Sequence, residues 1–275
     1  MKRCYPWIMC MVAMIMLSIS NGMTMTGITA FDPALLEDFG WSRGQLKFRD
    51  MFTLLLAALL SPLVGALIDR VGVRALVLLG SVLLAILYLA YAQISNIAHV
   101  YLIHVGFAAV VVSSGLSVAV IMVSQWFETH RGTALGIALV GSSLGGMLVP
   151  KVITALLPLH GWRESFMWMA LIPLGLFFLA LLLVRSPQRM GMTPWGHGSA
   201  RSPAQQAAGQ WPDLGYRQAL RTPTFWALAL VAVTTFWAIM SLSAHLIMHM
   251  RDLGFSAQRA ADGMFLLFGL GMVGK

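Results

Sequence analysis

Asn21 and Thr24 stand near the middle of an apolar run, with Ser18, Ser20, Gly22, Thr26 and Thr29 around them, and Lys275 stands deep in another run. Polar groups at that depth in a bilayer must face protein or a water-filled cavity. A third run, residues 224–248, repeats the trend with Thr234, Thr235, Ser241, Ser243 and His245, and His249 follows it. The chemistry on offer is recognition of a small solute: an ammonium for an anion, hydroxyls and an amide for orientation, an imidazole for a proton. Two plainer readings stand beside this one. Ser and Thr can bond back to their own helix, and His245 and His249, spaced i to i+4, can snorkel to the interface as a pair. No metal-ligand cluster, nucleophile beside a base, or phosphate-cradling glycine loop is present, so the sequence implies no enzyme, metal or cofactor chemistry.

A second constellation joins two apolar runs: Gly65, Asp69, Arg70, Gly72 and Arg74, in the spacing G-x-x-x-D-R-x-G-x-R. So short a connection, carrying nearly all the local charge, reads as a tight turn at a membrane surface. Gly65 would let two helices approach closely, Asp69 would accept hydrogen bonds from a helix N-terminus, and Arg70 and Arg74 would pair with headgroups or with that Asp.

The elements that must hold these residues follow from composition. The 275 residues are 59% hydrophobic and 10% charged, with mean hydropathy +0.80, far from the roughly one-quarter charge of a soluble domain. The chain is therefore a polytopic all-α membrane protein. Its net charge of +8 is spread singly between apolar runs rather than along a stripe, which excludes a nucleic-acid surface. Cys4 and Cys10 have no metal-type spacing. Runs of about 20 residues place spans near 6–30, 47–68, 73–94, 98–125, 133–157, 164–184 and 224–248, with an eighth starting near 261. This predicts a six-helix bundle over 1–185, a polar central loop over 186–223, and the start of a second bundle over 224–275. Within the loop, residues 214–220 read as a short surface helix or as plain linker. Ten Lys and Arg on the N-terminal side against six opposite predict a cytoplasmic N-terminus in the cell's inner or plasma membrane.

An internal repeat supports this plan. Asp38-Phe39-Gly40-Trp41-Ser42 recurs 214 residues later as Asp252-Leu253-Gly254-Phe255-Ser256. Each copy predicts a helix ending at Gly and another starting at a Ser cap, with Gln45 completing a capping box in the first. A second copy of the Gly65–Arg74 turn would fall just past Lys275, so the sequence reads as part of a longer chain. Gly136, Gly141 and Gly145 recur at near-helical spacing and predict a close helix crossing. Lys151 would snorkel to the outer surface or attract an anion, Arg49 and Asp50 would form an interfacial ion pair or a gate, and His104 would be a packed core histidine.

The Gly65–Arg74 turn resembles the loop between helices 2 and 3 of the major facilitator superfamily, although Val73 replaces its usual basic residue. Phe-Gly-Trp-Ser before the second span, Trp126-Phe127, the Arg131-Gly132-Thr133-Ala134-Leu135-Gly136 stretch, the Gly- and Ser-rich fifth span and Gly161-Trp162-Arg163 resemble its monocarboxylate porter and oxalate/formate antiporter branch. The resemblance implies a major facilitator fold and alternating-access transport of a small organic anion, coupled to a proton or to exchange, by a monomer in the bilayer. In that branch an Asp-x-x-x-Arg pattern in helix 8 meets the substrate. Here Gly271 and Lys275 occupy its positions, so the cation is retained as Lys275 and the acid is absent. Asn21, Thr24, His245 and Lys275 are the candidate substrate contacts. The alternatives are a porter for a drug or neutral metabolite, and a membrane fragment that transports nothing.

Overall fold

The computed structural model describes residues 4–196 and 215–274; Lys275 and most of the central loop lie outside them. The described chain is almost wholly helical. α1 (Tyr5–Asn21) runs on into a π turn (Gly22–Thr26) and a 3₁₀ turn (Gly27–Phe31), then into α2 (Asp32–Phe39). The first span thus continues for 35 residues instead of stopping at Phe31, because Asp32-Pro33 opens a new helical turn rather than a loop. Gly40 ends it in the left-handed region (φ 65°), and Ser42 starts α3 (Arg43–Leu60) with both halves of the capping box to Gln45 formed. The later copy repeats the pattern. Gly254 is left-handed (φ 84°), and Ser256 accepts from the Arg259 N–H.

α3 passes through a 3₁₀ turn (Ser61–Leu63) into α4 (Val64–Tyr91), which is interrupted at Gly72 (φ 82°, ψ 155°). A side chain there would be strained, and this is where the second span gives way to the third. α5 (Ile97–Ser114) and α6 (Leu116–Trp126) form the fourth span, broken at Gly115. α7 (Arg131–Met169) carries the fifth and, beyond a break at Gly161, enters the sixth, completed by α8 (Leu171–Leu183). After a short α9 (Tyr216–Ala219) come α10 (Pro223–Asp252) and α11 (Ala257–Val273). Five helical stretches are long and apolar enough to cross a membrane, and two of them, of 49 and 53 residues, each hold one of the glycine breaks at Gly72 and Gly161.

α1 and α7 cross almost in backbone contact. A Cβ on Gly141 would lie 2.0 Å from the Met14 carbonyl oxygen, one on Gly145 2.1 Å from that of Ser18, and one on Gly22 2.8 Å from the Gly145 Cα. Gly136, nearer the start of α7, is half-buried. No close approach occurs at Gly65. It is exposed, and a Cβ there would meet nothing within 4 Å, because the segment just after the Ser61–Leu63 turn has its surface uncovered. α10 rests on the bundle only through its last third, where Ser243, Ile247 and Met248 are buried. The same end is tied by a bidentate Arg43–Asp252 pair at 2.5 Å, and Lys151 on α7 reaches Asp262 on α11 at 2.8 Å. Lys151 thus has a partner as well as its place over the Phe265 ring. On the opposite face the start of the central segment docks on the α6–α7 turn, the Trp195 N–H donating to the Trp126 carbonyl at 2.8 Å.

Gly145→Ala is expected to lower unfolding stability in detergent by about 1–3 kcal/mol by forcing α1 and α7 apart. Gly175→Ala, where a Cβ would meet nothing within 4 Å, is the matched control and is expected not to destabilise. Equal melting temperatures for the two variants would refute the backbone-contact account.

Candidate functional site

The π turn puts one extra residue into the first span where it faces α3 and α10. Such a turn widens the helix and leaves backbone groups to be met from outside. The Tyr88 hydroxyl meets one of them, donating to the Met23 carbonyl at 2.8 Å. Thr24 and Thr26 donate their hydroxyl protons to the Ser20 and Gly22 carbonyls at 2.7 and 3.3 Å. Both threonines line a cavity of about 320 Å³ whose other walls are α3, through Lys47, Asp50 and Thr53, and α10, through Trp237, Ser243 and His245. Of the sequence candidates, Thr24 and His245 meet here from opposite walls. Asn21 lies just before the π turn and is not in the lining, and Lys275 is outside the described residues.

Behind the α3 wall is a charge cluster that sequence reasoning missed. Asp32 and Arg49 are wholly buried and bonded to each other. Lys47 Nζ lies 2.6 Å from the second Asp32 oxygen, and Asp50 is 3.5 Å from Arg49 Nε and 3.9 Å from Lys47 Nζ. Two cations and two carboxylates balance. Arg49 Nε and Nη1, Lys47 Nζ and Asp32 Oδ2 make no hydrogen bond of normal geometry, although Lys47 Nζ and that Asp32 oxygen are in ion-pair contact. Arg49 is therefore no interfacial partner of Asp50 alone, because its main anion comes from the preceding span. The signal was present in the Ser42 cap. It starts α3 at Arg43, so Arg49 lies ~10 Å along the helix at 1.5 Å per residue, inside the bundle rather than at its rim.

His104, also buried, holds the next layer. Its Nδ1 is 2.8 Å from Thr53 Oγ1, which also lies 3.1 Å from the His104 carbonyl, and its Nε2 is 2.8 Å from the Tyr91 hydroxyl. With the Thr53 proton on the carbonyl, the ring proton belongs on Nδ1 and Tyr91 donates to Nε2. Both nitrogens are thereby used, as a packed core histidine requires. Tyr91 in turn stacks on Phe166 at 4.6 Å, and Phe166 on Phe31 at 3.8 Å, closing the cluster with an aromatic wall.

The motif turn lies elsewhere. Asp69, Gly72 and Arg74 line a cavity of about 600 Å³ with Arg185 and Arg189, and Arg74 Nη2 donates to the Leu181 carbonyl at 2.5 Å. Arg70 faces an apolar groove of about 750 Å³ between the two arms of α4 and α5. Among the described residues Asp69 makes no ion pair within 4 Å. The cavity at the turn and the cavity beside the π turn share no lining residue.

The cavity beside the π turn thus lies between the first span, α3 and α10, next to buried balanced charge. Residues 10–275 match the family model described as Major Facilitator Superfamily. The chain belongs to that superfamily. Its members are membrane transporters, not enzymes, and the fold here is theirs. The chain is 34% identical over 131 residues to the fujikurins efflux protein of Gibberella fujikuroi, covering 47% of this chain and 28% of that protein. It is 28% identical over 199 residues to human monocarboxylate transporter 11, covering 69% and 41%, and 26% identical over 219 residues to the galacturonate transporter of Dickeya chrysanthemi, covering 76% and 61%. It spans between about a quarter and three fifths of these relatives' lengths. The crystal structure of a D-xylose–proton symporter superposes with a TM-score of 0.62 at 14% identity, over 98% of this chain and 67% of that one, a likeness of fold.

Arg49→Met is expected to destabilise the protein by about 3–5 kcal/mol, because it removes the wholly buried partner of Asp32 and leaves that carboxylate only Lys47. Adding Asp32→Asn should recover most of that loss. Thermal unfolding of the two variants checks this, and a double variant no more stable than the single one would contradict the pairing.

Proposed function

We propose that the protein moves a small organic anion across the membrane by alternating access, with the solute held in the cavity between the π turn, α3 and α10. The observation that carries this reading is a cation in the wall: Lys47 lines the cavity and is held there by Asp32 at 2.6 Å. An arriving carboxylate can take over the pairing of such a cation. Lys47 stands in the cavity wall and is the group to release Asp32 and meet the anion, while Arg49 keeps Asp32 neutralised behind it. Thr24 and His245 orient the solute, Asn21 extends its path toward the N-terminal face, and Lys275 supplies the cation of the eighth span. Relatives named for monocarboxylates and for galacturonate support an anionic cargo.

In this reading the N-terminus is cytoplasmic, the protein is a monomer in the inner or plasma membrane, and Asp69, Arg70 and Arg74 act on closure of the cytoplasmic face with Gly65 and Gly72. The Arg43–Asp252 and Lys151–Asp262 pairs hold the opposite face shut. One observation favours a neutral solute instead. Asp50, 30% exposed, also lines the cavity and would repel a bare anion.

Uptake of labelled carboxylates by liposomes carrying the full-length protein decides between these readings. Flux is expected to fall at least tenfold in Lys47→Gln and in Lys275→Ala, and an inward proton gradient that accelerates it would assign coupling to a proton over exchange. Carboxylate flux no higher than in empty liposomes would overturn the anion reading.

A further inference from the structure

Arg70 stands beside the Gly72 break, at one end of the apolar groove between the two arms of α4 and α5. The groove, of about 750 Å³, has Leu63 and Leu67 on one wall and Leu79, Leu83 and Ile86 on another. Ser113, also in the lining, spends its proton on the Ala109 carbonyl at 2.7 Å, so the free side-chain donor of the lining is Arg70. Among the described residues Arg70 makes no ion pair within 4 Å, and its neighbour Asp69 lines a different cavity. From Leu76, just past the Gly72 break, to Ile86 the groove runs ~15 Å at 1.5 Å per residue. That is half of a hydrocarbon core of about 30 Å. The groove is therefore as deep as one leaflet, with a cation at the end where headgroups lie.

The walls decide between a helix and a lipid as occupant. Where α1 and α7 touch, they do so on small residues, Gly141 and Gly145 among them, and this is the general rule for spans packed in a membrane. The groove presents bulky, branched side chains instead, and Gly65, next to its Ala66, meets nothing within 4 Å. A flexible chain of methylenes fills such a furrow, and a phosphate satisfies an unpaired guanidinium through charge-assisted hydrogen bonds. We propose that one anionic phospholipid binds here, its phosphate on Arg70 and one acyl chain along the groove toward Ile86. The site is separate from the solute cavity, with which it shares no lining residue. It gives Arg70 a partner in the bilayer, while Asp69 and Arg74 belong to the other cavity of the same turn.

In the test, the full-length protein is purified from equimolar phosphatidylglycerol and phosphatidylcholine of identical chains, and the lipid it retains is measured by native mass spectrometry. Phosphatidylglycerol is expected to be retained over phosphatidylcholine by about fivefold, the worth of one Arg at an anionic headgroup, and Arg70→Gln should bring the ratio close to one. Ala66→Trp, at an exposed position in the lining, should cost the protein its bound phosphatidylglycerol although Arg70 remains. A phosphatidylglycerol with a photoreactive group halfway down one chain is expected to label residues 76–86. Equal retention of the two lipids, or selectivity unchanged in Arg70→Gln, would overturn the site. A photoreactive thiol reagent on Leu79→Cys that captured another segment of the same chain, and no lipid, would overturn it too, making the groove an interface between helices.

Discussion

Arg49 and Asp32 hold each other inside a bundle from which water is excluded, and the geometry of the first two spans depends on that bond. Neither charge is tolerable there alone. Asp32 reaches Arg49 because the first span does not end where its apolar run ends. It continues through π and 3₁₀ turns into α2, returning the carboxylate toward α3. The irregular helix and the buried pair are one arrangement. A straight α-helix through residues 22–31 would carry Asp32 around to a different face.

The same irregularity requires close support. Gly22 and Gly27 lie on the widened segment, and side-chain atoms of Val149 would be 2.8 and 2.4 Å from a Cβ on either. Glycines on α1 and α7 let the backbones touch, and that contact gives the π turn a wall to rest on. Tyr88, bonded to the Met23 carbonyl, supplies the external partner that the turn needs in a medium without water. Packing, helix geometry and the polar cavity are thus joined at residues 22–26. Thr24 and Thr26 face the cavity through the same segment that the glycines hold in place.

The repeated Gly and Ser turns follow a local rule, but α10 and α11 are held to the preceding helices by packing and by charge together, with Ile247, Ala260 and Met264 in the same core as Phe31, Val149 and Phe166. α10 is buried only over its last third, and Arg43–Asp252 and Lys151–Asp262 both lie toward that end. Toward its start α10 exposes most of its surface, including Trp226, Leu230 and Trp237.

Much of the architecture was legible in sequence because its causes are local. Apolar run length sets the spans, left-handed glycines stop helices at residues 40 and 254, and the Ser42 box starts α3 where it was expected. Thr24 and His245 were legible as polar residues in apolar surroundings, but nothing in their spacing placed them at one cavity. Arg49 and Asp50 read as an interfacial ion pair or a gate, and the structure joins them to Asp32 and Lys47 in a cluster with Asp32 and Arg49 wholly buried, because a residue's depth depends on where its helix begins and on what packs over it. Gly65 failed in the opposite direction, a small residue without a neighbour. The sequence by itself determined the all-helical membrane class and the Gly and Ser turns at residues 40–42 and 254–256, since these follow from transfer into lipid and from backbone conformation. Only the tertiary structure decided which charges pair and which polar groups face the cavity, because those choices depend on contacts between residues of different spans.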